Sequence, residues 1–347
     1  MPRPPHRPPH RPPHRPTAPP RALRLAAIAL GLLVLAGCGE EEPLDPNGGA
    51  DPEGYPVTVS NCGARVTFAA APERVVLLKS AAVPFLHALG VMDRVTARAG
   101  QYPDDYYDRE TLAELEAVPL LTDKTDTSGH LQISQEVVIG QEPDLVLGEV
   151  DNLSREALAA VGIPLLEEPA LCAEGGAEPG FDDVWEQMEL YGEVFDREAE
   201  AASAVADLEE RLAEVQERVG EPSGRTAAVL YPTVGGGTTY AYGTASMAHP
   251  QLEAAGLENV FADSDERVFE VTLEELLGRD PDVLVLLHSD GDPREVEAAL
   301  EALPGSEQLT AVRNGDVMTQ LFNFTEPPTP LSIDGLERIV ERFGAGS

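Results

Sequence analysis

Twice in this chain a short acidic helical segment runs into an acid-Pro-Asp turn and then an unbroken apolar stretch. The first copy is residues 133–147, turning at Glu142-Pro143-Asp144; the second is residues 271–287, turning at Asp280-Pro281-Asp282. An apolar run without alternation is what a strand buried on both faces requires, and a preceding helix makes it part of a βαβ unit. The return of one design in the second half of a 347-residue chain predicts two α/β lobes, each large enough for its own core.

The rest of the pattern is consistent with two lobes. Residues 57–68 alternate around a turn at 61–64 and read as a hairpin. Residues 75–78 form a buried-strand run, with Ser80 placed to cap an apolar helix over 83–89 that Gly90 ends. Strands are expected over 95–99, 145–147, 163–167, 227–231, 283–287 and 317–321, interleaved with helices over 133–140, 153–161, 247–255, 273–278, 294–303, 307–312 and 331–343. Between the halves, residues 181–219 are helical almost throughout. Gly192 is the single interruption, so this is one long bent helix or two abutting ones.

The amino terminus carries an export pattern. An Arg-Pro-Pro-His repeat with His6, His10 and His14 precedes Arg21, Arg24 and an apolar run over 25–36 that ends Leu35-Ala36-Gly37-Cys38. Proline-rich spacing suits a disordered leader rather than a compact metal site. The run is shorter than the roughly 20 apolar residues of a membrane span and has the build of a signal peptide. Leu-Ala-Gly-Cys resembles a bacterial lipobox, which implies that Cys38 is lipidated and becomes the first residue of a membrane-anchored chain on the extracytoplasmic face. Residues 39–56, acidic and rich in Pro and Gly, read as a flexible tether. The expected organisation is a signal peptide (1–37), a tether (38–56), an N-terminal lobe (57–180), a connecting helix (181–220) and a C-terminal lobe (221–347). Cys62 and Cys172 remain. In an exported protein they suggest a disulfide, a buried free pair being the alternative; neither has CxxC zinc spacing.

The formal net charge is −37, and the first 37 residues hold six arginines and no acid, so the remainder is more acidic still. Such a surface repels nucleic acid and anionic headgroups. No Gly-x-Ser-x-Gly elbow, P-loop or His-Glu-x-x-His is present, and Gly235-Gly236-Gly237 does not follow the dinucleotide fingerprint, so no enzyme is expected.

Pro72-Glu73-Arg74-Val75-Val76 with Ala88-Leu89-Gly90, Glu142-Pro143-Asp144-Leu145-Val146, residues 158–165, residues 243–261 and Asp280-Pro281-Asp282-Val283-Leu284 together resemble the iron-complex (siderophore or haem) and vitamin B12 substrate-binding proteins of ABC importers. The resemblance runs over about 57–343 and implies two Rossmann-like α/β lobes joined by a single long helix, with ligand in a shallow cleft between them. It implies a monomer that captures a ferric siderophore or similar metal-organic chelate, cobalamin or haem being the alternative, and hands it to a permease dimer with a cytoplasmic ATPase. It implies no resident cofactor; the transported ligand contains iron or cobalt. It also implies one docking glutamate per lobe for permease arginines: Glu136 in the first copy of the repeated design and Glu274 in the second, with Glu275 a close competitor.

Ligands of α/β lobes sit beyond the carboxyl ends of the strands. The loops so placed offer Lys79, Ser80, Tyr102, Lys124, Tyr231, Tyr240, Tyr242, His288, Phe322, Asn323 and Phe324. The aromatic members could stack on a catecholate, porphyrin or corrin, and the two lysines could neutralise an anionic chelate. Arginine is absent from the set, which leaves neutral or cationic chelates, haem and cobalamin open. The mature chain's histidines are scattered, and a bare-metal site needs several converging.

Overall fold

The computed structural model describes residues 54–126, 130–172 and 178–344. The expected signal peptide, Cys38 and most of the tether lie outside them. The first element is a hairpin, β1 (Val57–Asn61) and β2 (Ala64–Phe68), turning through Cys62 and Gly63, both at positive φ. Next come β3 (Val75–Leu77), α1 (Val83–Ala88), β4 (Val95–Arg98), α2 (Arg109–Ala117), α3 (Gln135–Ile139), β5 (Leu145–Leu147), α4 (Arg155–Ala159) and β6 (Leu165–Leu166). Four of these strands make a parallel sheet in the order β4-β3-β5-β6. β3, β5 and β6 are apolar at every position because both faces are covered, whereas the edge strand β4 alternates, with Thr96 and Arg98 half-buried. Val75, Leu77, Leu145 and Leu147 enter one core with α1 and the hairpin, while Val76 and Val146 enter another with α3 and α4.

Two helices follow, α5 (Asp182–Phe195) and α6 (Glu198–Val219). The break lies at Asp196, in the left-handed conformation, and not at the expected Gly192. Gly192 is small for another reason: a Cβ there would come within 2.6 Å of the Ala201 Cβ where the two helices cross. α5 buries Val184, Met188, Tyr191 and Phe195 in the first core. α6, 22 residues and roughly 33 Å long, contributes Ala201 and Leu208 to that core and Val215 to the next. The long connection between the cores is therefore α6.

The second half contains β7 (Arg225–Pro232), β8 (Thr239–Tyr242), α7 (Ala248–Ala254), β9 (Leu257–Asn259), β10 (Val268–Val271), α8 (Leu273–Arg279), β11 (Val283–His288), α9 (Pro293–Glu301), α10 (Thr310–Asn314), β12 (Val317–Leu321) and α11 (Leu331–Phe343). Its sheet runs β10-β8-β7-β11-β12, with β9 also on β7. β11 is parallel to β7 and β12, whereas β8 and β10 are antiparallel, so this sheet is mixed. Sequence reasoning took residues 239–242 for a loop and passed over β9, β10 and α2. The Gly235–Gly237 segment is in fact the turn of a β7–β8 hairpin.

The repeated design has a physical basis. Glu142 and Asp280 both hold positive φ, closing the turn after α3 and α8. The aspartate two residues on then accepts hydrogen bonds at the start of the neighbouring strand: Asp144 from the amides of Glu73 and Arg74, just before β3, at 2.9 Å, and Asp282 from the Thr226 amide of β7 at 2.9 Å. Each acid-Pro-Asp thus ends a helix and fixes the register of two parallel strands.

Candidate functional site

The carboxyl ends of β3, β4 and β5 face those of β11 and β12 across a cavity of about 330 Å³. Lys79, Ser80, Gln101, Tyr106, His130, Glu149, Asp151 and Leu171 line it from the first half; Ser289, Phe322, Asn323 and Pro327 line it from the second. Of the expected ligand residues, Lys79, Ser80, Phe322 and Asn323 are in the wall. Tyr231 stands behind it, its hydroxyl 3.1 Å from Ser289 Oγ and its ring edge-on to Phe322. Lys124 is exposed beside Thr125, which is in the wall. Tyr102 and His288 line an adjoining cavity of about 610 Å³. There the Tyr102 hydroxyl is held by the Ala99 carbonyl, and His288 Nδ1 lies 2.8 Å from the Asp290 carbonyl.

Three aromatic residues fall elsewhere than expected. Tyr242 is a buried core residue of the second half, because β8 is a strand and turns it into the sheet's packed face. Tyr240 pairs with Tyr231 across β7–β8 and is absent from the cavity wall. Phe324 is buried edge-on against Tyr106, with the Arg338 guanidinium 4.0 Å from its ring centre. It joins the halves and, with Tyr102 and His288, lines the adjoining cavity rather than the 330 Å³ one. Ser80 does not cap a helix: its Oγ accepts from Asn323 Nδ2 at 2.9 Å, across the seam. Beside it the Asn323 amide donates to the Tyr106 hydroxyl at 2.9 Å.

A buried polar network holds the Phe322–Phe324 turn. Gln251 on α7 donates to the Phe324 and Ser332 carbonyls, Thr325 donates to Gln251 Oε1, and Gln320 donates to Thr325. Glu326, fully buried, accepts from Ser246 Oγ, the Met247 amide and Arg267.

The first half positions its wall by a second network. Lys79 Nζ donates to Glu167 Oε2, and the Glu149 amide donates to the same oxygen at 2.8 Å. Asn61, at the hairpin tip, accepts from the Glu167 amide and donates to the Glu167 carbonyl, and Arg155 donates to Asn61. Cys62 and Cys172 are disulfide-bonded with Cα atoms 5.2 Å apart, which resolves the alternative left open by the sequence. The bond ties the hairpin tip next to Leu171 in the wall. Glycine is required at 148 on two counts: φ is +96°, and a Cβ would lie 2.9 Å from the Lys79 stem. Behind Glu167 lies Glu168. Burial, then the Glu167 charge, push its carboxyl up to about 8, so it keeps its proton at neutral pH. Its Oε1 accepts from the Tyr191 hydroxyl.

Among the described lining residues the acidic and basic side chains are Lys79, Glu149, Asp151 and His130, and none is arginine. His130 Nδ1 lies 2.8 Å from Asp151 Oδ2. No group of three or more His, Cys, Asp or Glu side chains converges as a metal site among the described residues. Sequence reasoning missed Tyr106, His130, Asp151 and Leu171 as wall residues. The tyrosine-rich segment at 102–107 is the one signal that could have pointed to the first.

The two docking candidates occupy equivalent places. Glu136 and Glu274 are each the second residue of their helix, α3 and α8, and both are exposed. Glu275 pairs with Arg279 at 3.2 Å, whereas among the described residues no ion-pair partner engages Glu274.

Residues 75–320 match the family model described as periplasmic binding protein. The chain belongs to that family. A crystal structure of an ABC-type Fe3+-hydroxamate transport system from Saccharomonospora viridis is 60% identical, with a TM-score of 0.80, covering 84% of this chain and 100% of its own. A cobalamin-binding protein of Halobacterium salinarum is 26% identical over 337 residues, 93% of this chain and 84% of the relative. An uncharacterised ABC transporter substrate-binding lipoprotein, YvrC of Bacillus subtilis, is 25% identical over 324 residues, 91% of this chain and 95% of the relative. As a periplasmic binding protein the chain is an extracytoplasmic substrate-binding component of a transport system. Among the described residues no helix is long and apolar enough to cross a membrane.

Proposed function

We propose that this periplasmic binding protein captures a neutral or cationic ferric chelate of the hydroxamate class between its lobes and delivers it, without turnover, to an ABC permease. The observation that carries the reading is that Lys79, the one ammonium in the described cavity wall, is already matched by Glu167, while Glu149 and Asp151 add negative charge. Such a wall repels a polyanionic chelate and tolerates a neutral or cationic one. The 60% identity to a hydroxamate-system protein supports the same class.

Delivery runs through Glu136 and Glu274, two exposed carboxylates on equivalent helices that can each accept an arginine of a two-fold permease. Cys38 carries the lipid that keeps the protein at the membrane. Isothermal titration with a neutral ferric tris-hydroxamate, a ferric tris-catecholate, haem and cobalamin tests the ligand: hydroxamate binds and is recovered unchanged. Tight binding of cobalamin alone would instead favour the function named for the Halobacterium relative. With chelate binding intact, Glu136→Ala plus Glu274→Ala abolishes uptake, and normal uptake by that variant would refute the docking sites. Intact mass of membrane-purified protein shows a diacylglyceryl Cys38 as its first residue.

A further inference from the structure

The Lys79–Glu167 pair is built differently from a surface ion pair. Glu167 is 1% exposed, and every oxygen of its carboxylate is engaged: Oε2 by Lys79 and the Glu149 amide, Oε1 by the Glu168 amide. Its own backbone is held on both sides by Asn61. The glutamate therefore cannot follow a ligand, and the Lys79 stem, running against Gly148, is confined to the path that ends on it. Lys79 retains about one-third of its side-chain exposure, all that it can offer to the cavity. An ammonium has three N–H donors, so with one spent on Glu167 it can still donate to a neutral oxygen acceptor while presenting no net charge.

We infer that Glu167 is the charge-selectivity residue of this binding site: by cancelling Lys79 from below, it makes the cavity's strongest donor one for neutral oxygen acceptors and denies it to polyanionic chelates. The inference rests on the reading of the cavity as the ligand site, and it adds a role for a residue that lies beneath the wall and not in it. Glu168, keeping its proton, contributes no second negative charge to the pair. Arg155, the other cation of this network, donates to Asn61 and to the Leu165 carbonyl and is not among the residues that line the cavity.

The test is a set of dissociation constants for three probes: a neutral cyclic ferric tris-hydroxamate, a singly cationic linear one and a trianionic ferric tris-catecholate. In Glu167→Gln, Lys79 becomes an uncompensated cation, and the preference for neutral over trianionic chelate falls by about tenfold or more at low salt. The double variant Lys79→Met with Glu167→Gln restores the wild-type ratio. If Glu167→Gln and the double variant do not fold, Lys79→Met carries the test: with Glu167 unmatched, the preference for cationic over neutral hydroxamate rises about threefold or more. A merely structural Glu167 would shift all three constants in parallel, and unchanged ratios overturn the inference. Failure of the wild type to bind any hydroxamate would instead overturn the proposed ligand class, because selectivity is judged on ratios among the chelates that do bind.

Discussion

Each half of the molecule buries a glutamate past the end of its sheet, and the two are used for different purposes. Glu167 follows β6 and meets Lys79, which lines the cavity. Glu326 follows the turn after β12 and meets Ser246, the Met247 amide at the start of α7, and Arg267 outside the cavity wall. The second carboxylate fastens a loop; the first pairs with a lysine of the cavity wall. Two lobes of one plan thus line the cavity differently, the second with apolar Phe322 and with Asn323, whose amides are engaged by Ser80 and Tyr106, the first with ionisable groups. Their pins differ as well, a disulfide on the first lobe and, on the second, an ion pair whose carboxylate is buried.

The largest effect expected from breaking these pins is on the first. The disulfide spans a sequence separation of 110 residues, and its loss in Cys62→Ser plus Cys172→Ser costs about 4–5 kcal/mol by loop-closure entropy. Urea denaturation measures this. Chelate affinity should fall too, because Leu171 and the hairpin tip are released together.

On the second lobe, Glu326→Gln leaves Arg267 without its counter-charge and one buried donor unmatched, a cost of about 3 kcal/mol. Unlike the disulfide variant it should loosen the Phe322–Phe324 turn, which hydrogen exchange at Asn323 and Thr325 would show.

Glu168 separates the lobes by pH. Its folded value of about 8 exceeds the ordinary 4.5, so the folded state holds a proton that the unfolded state has released. That contribution is fully present below about 4.5 and is lost as pH rises through about 8. The melting temperature should therefore decline over this window, and Glu168→Gln should flatten the decline. The C-lobe variant Glu326→Gln should leave the Glu168 slope in place.

The smallest effects come from the repeated turns. Asp144→Ala and Asp282→Ala each remove strand-to-turn hydrogen bonds near the surface and cost about 1 kcal/mol. Asp144 accepts two amides and Asp282 one amide and one hydroxyl, so the two losses should be nearly equal in chemical denaturation.

The sequence by itself determined the α/β plan, because local physics writes it into the chain. Strands covered on both faces must be apolar throughout, as residues 75–77, 145–147 and 283–287 are, and a left-handed turn with a carboxylate two residues later repeats wherever that geometry recurs. The boundaries of β12 and α11 were legible for the same reason. Glu136 and Glu274 could be placed as equivalent positions because their helices start alike. Helix α2 was overlooked although Asp108 caps it, its side chain accepting from the Thr111 amide. Only the tertiary structure decided the wall of the cavity. Lys79 and Glu167 are 88 residues apart, and Ser80 and Asn323 are 243 apart. No periodicity records which loop ends meet across a seam, or that a lysine in the cavity wall is already paired with a buried glutamate. Tyr240 and Tyr242 looked like ligand residues because a glycine-rich turn hides a strand. Hydrogen bonding to β7 and β10, long-range in sequence, made them part of a sheet.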